Sequence, residues 1–105
     1  MLESRYQALL IGKLNRRFPG CFVLKNDASY LQGIPDLLVL FGTKWAMLEV
    51  KADPDSPRQP NQEYYVELFG EMSFAAFICP ENENEVFDDL QQTFCPGRST
   101  RLPKR

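Results

Sequence analysis

The sequence predicts an α/β sandwich: a mixed four-stranded sheet flanked by helices, in the order α-β-β-β-α-β-α. Three observations carry this. The two segments on either side of Gly42-Thr43 are apolar on both faces, as strands covered on both sides are. Segments near the start, middle and end of the chain space their apolar residues at i, i+3, i+4 and i+7, the mark of amphipathic helices. A short apolar run from Phe74 to Cys79, stopped by Pro80, places one more strand between the last two helices.

Each element follows from local pattern. Leu2, Tyr6, Leu9, Leu10 and Leu14 recur at helical spacing, so a first helix ends before Phe18-Pro19-Gly20. Cys21 to Asn26 is β-rich and bounded by turn residues, giving the first strand. Asp27 to Gly33 is polar and loop-like. Asp36–Phe41 and Lys44–Lys51 form a hairpin, because Gly42-Thr43 suits a two-residue type II′ turn with glycine at its first central position. The stretch from Asp53 to Pro60 is a proline-rich loop leading to a helix, with Ser56 or Asn61 as candidate caps. Tyr65, Leu68, Phe69 and Met72 form the apolar face of that helix, which closes between Gly70 and Ser73. Asn82-Glu83-Asn84-Glu85 opens the last helix, with Val86, Phe87, Leu90 and Phe94 inward. There is no internal repeat.

Length and composition bound the answer. The chain has 105 residues, 44% hydrophobic and 25% charged, which fits one globular domain over 1–94 and a basic tail over 95–105. No run approaches the roughly 18–20 apolar residues of a membrane span, and no signal peptide opens the chain, so a cytoplasmic protein is expected. Cys21, Cys79 and Cys95 are odd in number and widely spaced; neither a disulfide framework nor a zinc site is indicated, and the first two read as buried strand residues. Histidine is absent, which removes His-based acid–base chemistry, Ser-His and Cys-His pairs and His-containing zinc sites. Hard oxygen ligands remain, and these suit Mg²⁺ or Mn²⁺.

The hairpin concentrates the chemistry. If Phe41 faces Lys44 across the turn, Asp36 faces Glu49. Directly opposed residues hold their Cβ atoms about 4.5–5.5 Å apart, and like charges there repel. Leu38, Trp45 and Met47 share that face, so the two acids do not sit on a solvated stripe; buried charges are paired or bind metal. Period-2 alternation puts Lys51 on the same face. Two carboxylates that want a cation, with an ammonium beside them, define a candidate metal site.

Pro35-Asp36 followed by Glu49-Val50-Lys51 resembles the PD-(D/E)xK nuclease signature. Gly33 before the Pro-Asp pair and Gln62 after the Glu-x-Lys strand resemble the virus-type replication and repair nuclease (VRR-NUC) branch, over roughly residues 1–94. The resemblance implies a restriction-endonuclease-like fold and a metal-dependent DNA endonuclease. On it, Asp36, Glu49 and the Val50 carbonyl hold one or two Mg²⁺ or Mn²⁺ ions, and Lys51 orients the attacking water. Glu3 fits the helix dipole of a first turn without any function, but in related nucleases a glutamate on this helix reaches the metal. Gln62 is either a satisfied core amide or a group orienting Lys51 and the scissile phosphate. Gly33 either turns the chain or lets backbone approach the phosphate.

Charge is split along the chain. Residues 1–51 hold seven basic against four acidic side chains, 52–94 hold one against ten, and 95–105 hold four basic and none acidic. The net charge of −2 thus conceals a basic half. Lys13, Arg16, Arg17 and Lys25 are candidates for phosphate contact or ordinary surface cations, and Arg98, Arg101, Lys104 and Arg105 form either a solvated end or a phosphate-contacting arm. Branched DNA such as four-way junctions is the implied substrate, cut or nicked, with a symmetric homodimer presenting two sites to two strands. The compactness of the chain suggests a bacterial or phage-infected host cell. The competing classes are a catalytically silent nucleic-acid-binding module on the same fold and a protein-interaction adaptor using the acidic 52–94 segment.

Overall fold

The computed structural model describes residues 1–97. Its elements run α1 (Glu3–Arg17), β1 (Phe22–Lys25), β2 (Leu37–Phe41), β3 (Lys44–Val50), α2 (Gln62–Met72), β4 (Ala75–Ile78), a 3₁₀ turn (Pro80–Asn82) and α3 (Glu83–Phe94). The order α-β-β-β-α-β-α is the one the sequence predicts. The basic tail beyond Gly97 lies outside the described residues. No helix among the described residues is long and apolar enough to cross a membrane.

The sheet order is β1-β2-β3-β4. β1 and β2 pair antiparallel, as do β2 and β3, while β4 lies parallel to β3, reached through α2. In the hairpin Phe41 faces Lys44 and Leu37 faces Leu48, the expected register. Gly42 takes a φ of 62° whereas Thr43 stays out of the left-handed region, as a II′ turn requires.

Register decides which face each strand residue serves. Leu37, Val39, Ala46, Leu48 and Val50 point to one side and are fully buried under α1 and α3. Tyr6, Leu10, Leu14 and Phe18 come from the first helical segment, Val86, Phe87, Leu90 and Phe94 from the last. Phe18 packs edge-on against Phe41 and Phe94. Leu2 and Leu9, at the same nominal spacing, stay exposed: one helix stripe cannot turn all five residues to the sheet, and the stripe that wins is Tyr6, Leu10 and Leu14.

The other face holds Leu38, Leu40, Trp45, Met47 and Glu49, and α2 lies on it over β3 and β4. Trp45 meets Phe69 edge-on, and the Ser73 hydroxyl donates to the Trp45 carbonyl at the helix end. Tyr65 and Phe69 are half-buried as the spacing predicts, but Met72 is exposed at the last turn and α2 has no fully buried residue. Over β1 the face is uncovered, with Phe22 68% and Leu24 46% exposed. One sheet face is thus a filled core and the other only half roofed.

Candidate active site

The strand ends of the hairpin bring the predicted groups together. Asp36 stands just before β2, held by two features of its neighbourhood: its carbonyl accepts from the Asn26 N–H at 2.9 Å, and the Asn26 side chain donates to the Pro35 carbonyl at 2.9 Å. One carboxylate oxygen of Asp36 accepts from the Val50 N–H at 2.9 Å across the hairpin. That bond ties the acid of one strand to the end of the other.

Glu49 lies on the half-roofed face yet is 1% exposed. Its Oε2 accepts from Gln62 Nε2 at 2.8 Å and lies 3.8 Å from the Lys51 ammonium. Its Oε1 is buried and has no hydrogen-bond partner. Burial first, and then the charge of Asp36, push the Glu49 carboxyl up to about 8, against the opposing pull of Lys51; the charge of Glu3 adds to the rise. The charge of Asp36 thus acts on Glu49 in the direction expected from opposing the two acids.

Lys51 is 7% exposed. Its ammonium donates to the Pro57 carbonyl at 2.8 Å and to Gln62 Oε1 at 2.9 Å. Gln62 Oε1 also accepts from the Gln59 N–H at 2.8 Å. The glutamine therefore bridges acid and lysine, with its amide oxygen on the cation and its amide nitrogen on the carboxylate. Its amide is satisfied on both ends and touches Lys51 directly, a geometry common to the two roles open to it from sequence.

Glu3 is exposed in the first turn of α1 and reaches Glu49 by its charge. Among the described residues no three acidic or cysteine side chains form one ligating cluster. The oxygen set on the page is accordingly two carboxylates, Asp36 and Glu49, with the Val50 backbone adjoining, and Glu3 stands outside it. That set fits a hard divalent cation: it is all oxygen, one oxygen is buried without a partner, and the acids repel each other until a positive charge separates them.

The other candidates are spread more widely. Gly33 is buried, with a φ of 92°, and the backbone that approaches it closely belongs to Pro60-Asn61 of the chain itself, so its flank is closed to a phosphate. Lys13 pairs with Glu83 at 2.9 Å and Arg17 with Asp88 at 3.5 Å, tying α1 to α3 on the far side of the sheet. Arg16 and Arg17 stand about 20 Å from Glu3 along the helix axis, so neither they nor Lys13 line the site. Lys25 ends β1 beside Asn26, at the same end of the sheet as Asp36.

Three contributors escape a sequence reading. Asn26, at the end of β1, fixes Pro35 and Asp36. The Pro57 carbonyl holds Lys51, and no side-chain pattern points to a backbone acceptor. Arg58, the sole basic residue of the acidic 52–94 segment, lies 3.8 Å over the ring of Phe77, the β4 residue opposite Glu49, and pairs with Glu63 at 2.5 Å. It also borders a cavity of about 180 Å³ that opens beside Lys51. Isolation in an acidic stretch was the signal for Arg58.

Comparison with protein-family models, curated proteins and solved structures finds no match to this chain. What the site can do is therefore argued from its own geometry.

Proposed function

We propose that this protein is a metal-dependent DNA endonuclease that hydrolyses phosphodiester bonds, cutting or nicking, and selects its substrate by DNA structure, such as branched DNA, rather than by base sequence. The observation that carries the reading is the buried, unpartnered Glu49 Oε1 beside Asp36, with Lys51 and Gln62 engaged on the opposite oxygen. A stabilising ion pair has no use for an orphaned carboxylate oxygen, whereas a cation site does.

Asp36, Glu49 and the Val50 carbonyl would hold Mg²⁺ or Mn²⁺. When bound, such an ion lowers the pKa of a water and offsets charge on the phosphate. The chain's own groups do the rest. Asp36 is kept in place by the Val50 N–H, so its free oxygen stays at the site. Glu49 would hold such an ion in its ionised form, the form that burial opposes. Lys51 has three N–H donors, two of them spent on Pro57 and Gln62; the third is left for the attacking water or a phosphate oxygen, beside the negative charge that builds as the P–O bond breaks. Gln62 keeps the ammonium from collapsing onto Glu49. The half-roofed sheet face leaves room for a nucleic-acid strand. A homodimer would offer two such sites to two strands, and the cytoplasm of a bacterial or phage-infected cell is the setting that goes with this substrate.

The test is incubation with supercoiled plasmid and with four-way-junction oligonucleotides in Mg²⁺, Mn²⁺ or EDTA. Cleavage is expected with either metal and not in EDTA. Undiminished cutting in excess EDTA, or binding without cutting by folded protein, overturns the proposal.

A further inference from the structure

Gly33 sits two residues before Pro35 in the loop that delivers Asp36. Its φ of 92° places it among the four glycines with left-handed backbone, but it differs from the other three in its surroundings. A Cβ on Gly20, Gly42 or Gly97 would meet nothing within 4 Å, whereas one on Gly33 would lie 2.5 Å from Asn61 Cβ, 2.8 Å from the Pro60 carbonyl oxygen and 2.9 Å from the Asn61 carbonyl carbon. None of these atoms is the end of a flexible side chain. Opening the 2.5 Å approach to an ordinary contact of 3.4 Å requires one loop to move by about 0.9 Å.

The loop that would move carries the start of α2. Asn61 holds a left-handed φ of 72°, the sole non-glycine residue to do so among those described. Its side-chain amide donates to the Gln32 carbonyl at 3.4 Å, back across the same contact. Its own carbonyl accepts from the Tyr65 N–H at 3.0 Å, the first bond of the helix. Gln62 follows directly, with bonds of 2.8 Å to Glu49, 2.9 Å from Lys51 and 2.8 Å from the Gln59 N–H. Hydrogen bonds of that length do not survive a displacement near 1 Å unchanged.

We infer that Gly33 is a positioning residue: its bare Cα lets the Asp36 loop lock against Pro60-Asn61, and this lock sets Gln62 between Glu49 and Lys51. The catalytic consequence rests on the nuclease reading above; the geometric one does not. Asp36 and Gln62 come from loops far apart in sequence, and the Gly33–Asn61 contact is what fixes one against the other.

The test follows the Gln62 side-chain NH₂ signals in ¹⁵N-labelled protein, assigned through Gln62→Ala, together with cleavage kinetics. In Gly33→Ala these signals are expected to move toward those of a free glutamine, and kcat to fall by about 10²-fold, the usual result of misplacing a group by an ångström, with KM within about twofold. Gly20→Ala shares the backbone strain, with a φ of 93° and nothing within 4 Å, and is expected to leave both unchanged. Adding Asn61→Gly to Gly33→Ala removes the nearest atom and suits the left-handed backbone at 61, but leaves the Pro60 carbonyl oxygen and the Asn61 carbonyl carbon at 2.8 and 2.9 Å, so the Gln62 signals are expected to return only part of the way to those of wild type. If Gly33→Ala keeps wild-type signals while merely melting lower, the inference is wrong. If Gly33→Ala does not fold, Gly20→Ala decides, because its φ of 93° carries the same strain with no neighbour to meet: folded, it leaves the Pro60-Asn61 contact as what Gly33 serves, and equally unfolded, it means Gly33 serves only its own backbone conformation. Should wild type cut no DNA, the NMR comparison still reads the lock, so the two proposals fail separately.

Discussion

Glu49→Gln should make the metal-free protein more stable at alkaline pH, and the size of the effect follows from the site. The carboxyl rises from an ordinary 4.5 to about 8 because burial and the neighbouring Asp36 both oppose its charge. Between those values the folded state holds a proton that the unfolded chain has lost. Stability is therefore fully present below about 4.5, declines as pH rises toward 8, and is level beyond. At about 1.36 kcal/mol per pH unit the span amounts to at most about 5 kcal/mol. Glutamine keeps the shape and an acceptor for Gln62, and its NH₂ replaces the carboxyl proton facing Asp36. The assay is thermal melting in EDTA from pH 5 to 8.5 for wild type and variant. For a domain of this size each kcal/mol moves Tm by roughly 4 °C or more, so wild type should lose on the order of 10 °C or more relative to the variant across this range. Comparing the two cancels the titrating groups that do not interact with Glu49. Mg²⁺ at pH 8 should raise the wild-type Tm and leave the variant nearly unmoved. If the difference between the two proteins is independent of pH, Glu49 is ionised throughout, and the case for a cation between it and Asp36 collapses.

Arg17→Ala should change stability by no more than about 1 kcal/mol, its pair with Asp88 being exposed, and Lys13→Ala should cost more, because the Glu83 side chain it leaves unpaired is only 13% exposed; both should leave DNA affinity unchanged within about twofold, as groups on the far side of the sheet would, and a salt-dependent loss of binding in either would put DNA on that side. Ending the chain after Phe94 removes four basic residues; if they touch phosphates, the log–log salt slope of duplex binding should fall by about 0.9 per lost contact, and an unchanged slope would make the tail a solvated end.

How much of this was legible depended on whether the information was local. The hairpin register followed from two residues, Gly42 and Thr43, because a two-residue turn leaves a single pairing, and that pairing alone sets Asp36 against Glu49. The last helix was equally legible, since Val86, Phe87, Leu90 and Phe94 are all buried. The first helix was less so: five apolar residues at helical spacing offer two overlapping stripes, and only packing against Leu37 and Val39 chooses between them. Of the two candidate caps, Ser56 and Asn61, the second precedes α2, yet its amide turns away to Gln32 and no side-chain cap bond forms; its left-handed backbone lies against Gly33, distant in sequence. For the same reason Gly33 could be seen to matter without its partner being visible. Lys13 and Arg17 show the remaining limit: basic residues in a basic half-chain look alike until tertiary structure supplies Glu83 and Asp88.

The two sheet faces show why the site reads as function and not as fold. Under α1 and α3 the strands bury nothing charged, and that core is sufficient to specify the topology. α2 itself has no fully buried residue, yet the two buried charged side chains among the described residues, Glu49 and Lys51, lie on the face it covers. Replacing a buried ion pair by apolar residues of similar volume is often neutral or stabilising. A chain selected for stability alone would fill this place with leucine, as it does on the other face at Leu48. Here it keeps a carboxylate with one unpartnered oxygen, a lysine held by a backbone carbonyl and a glutamine bridging the two. Local consistency breaks down at one strand end while holding elsewhere in the sheet, and such breaks are where function is expected to lie.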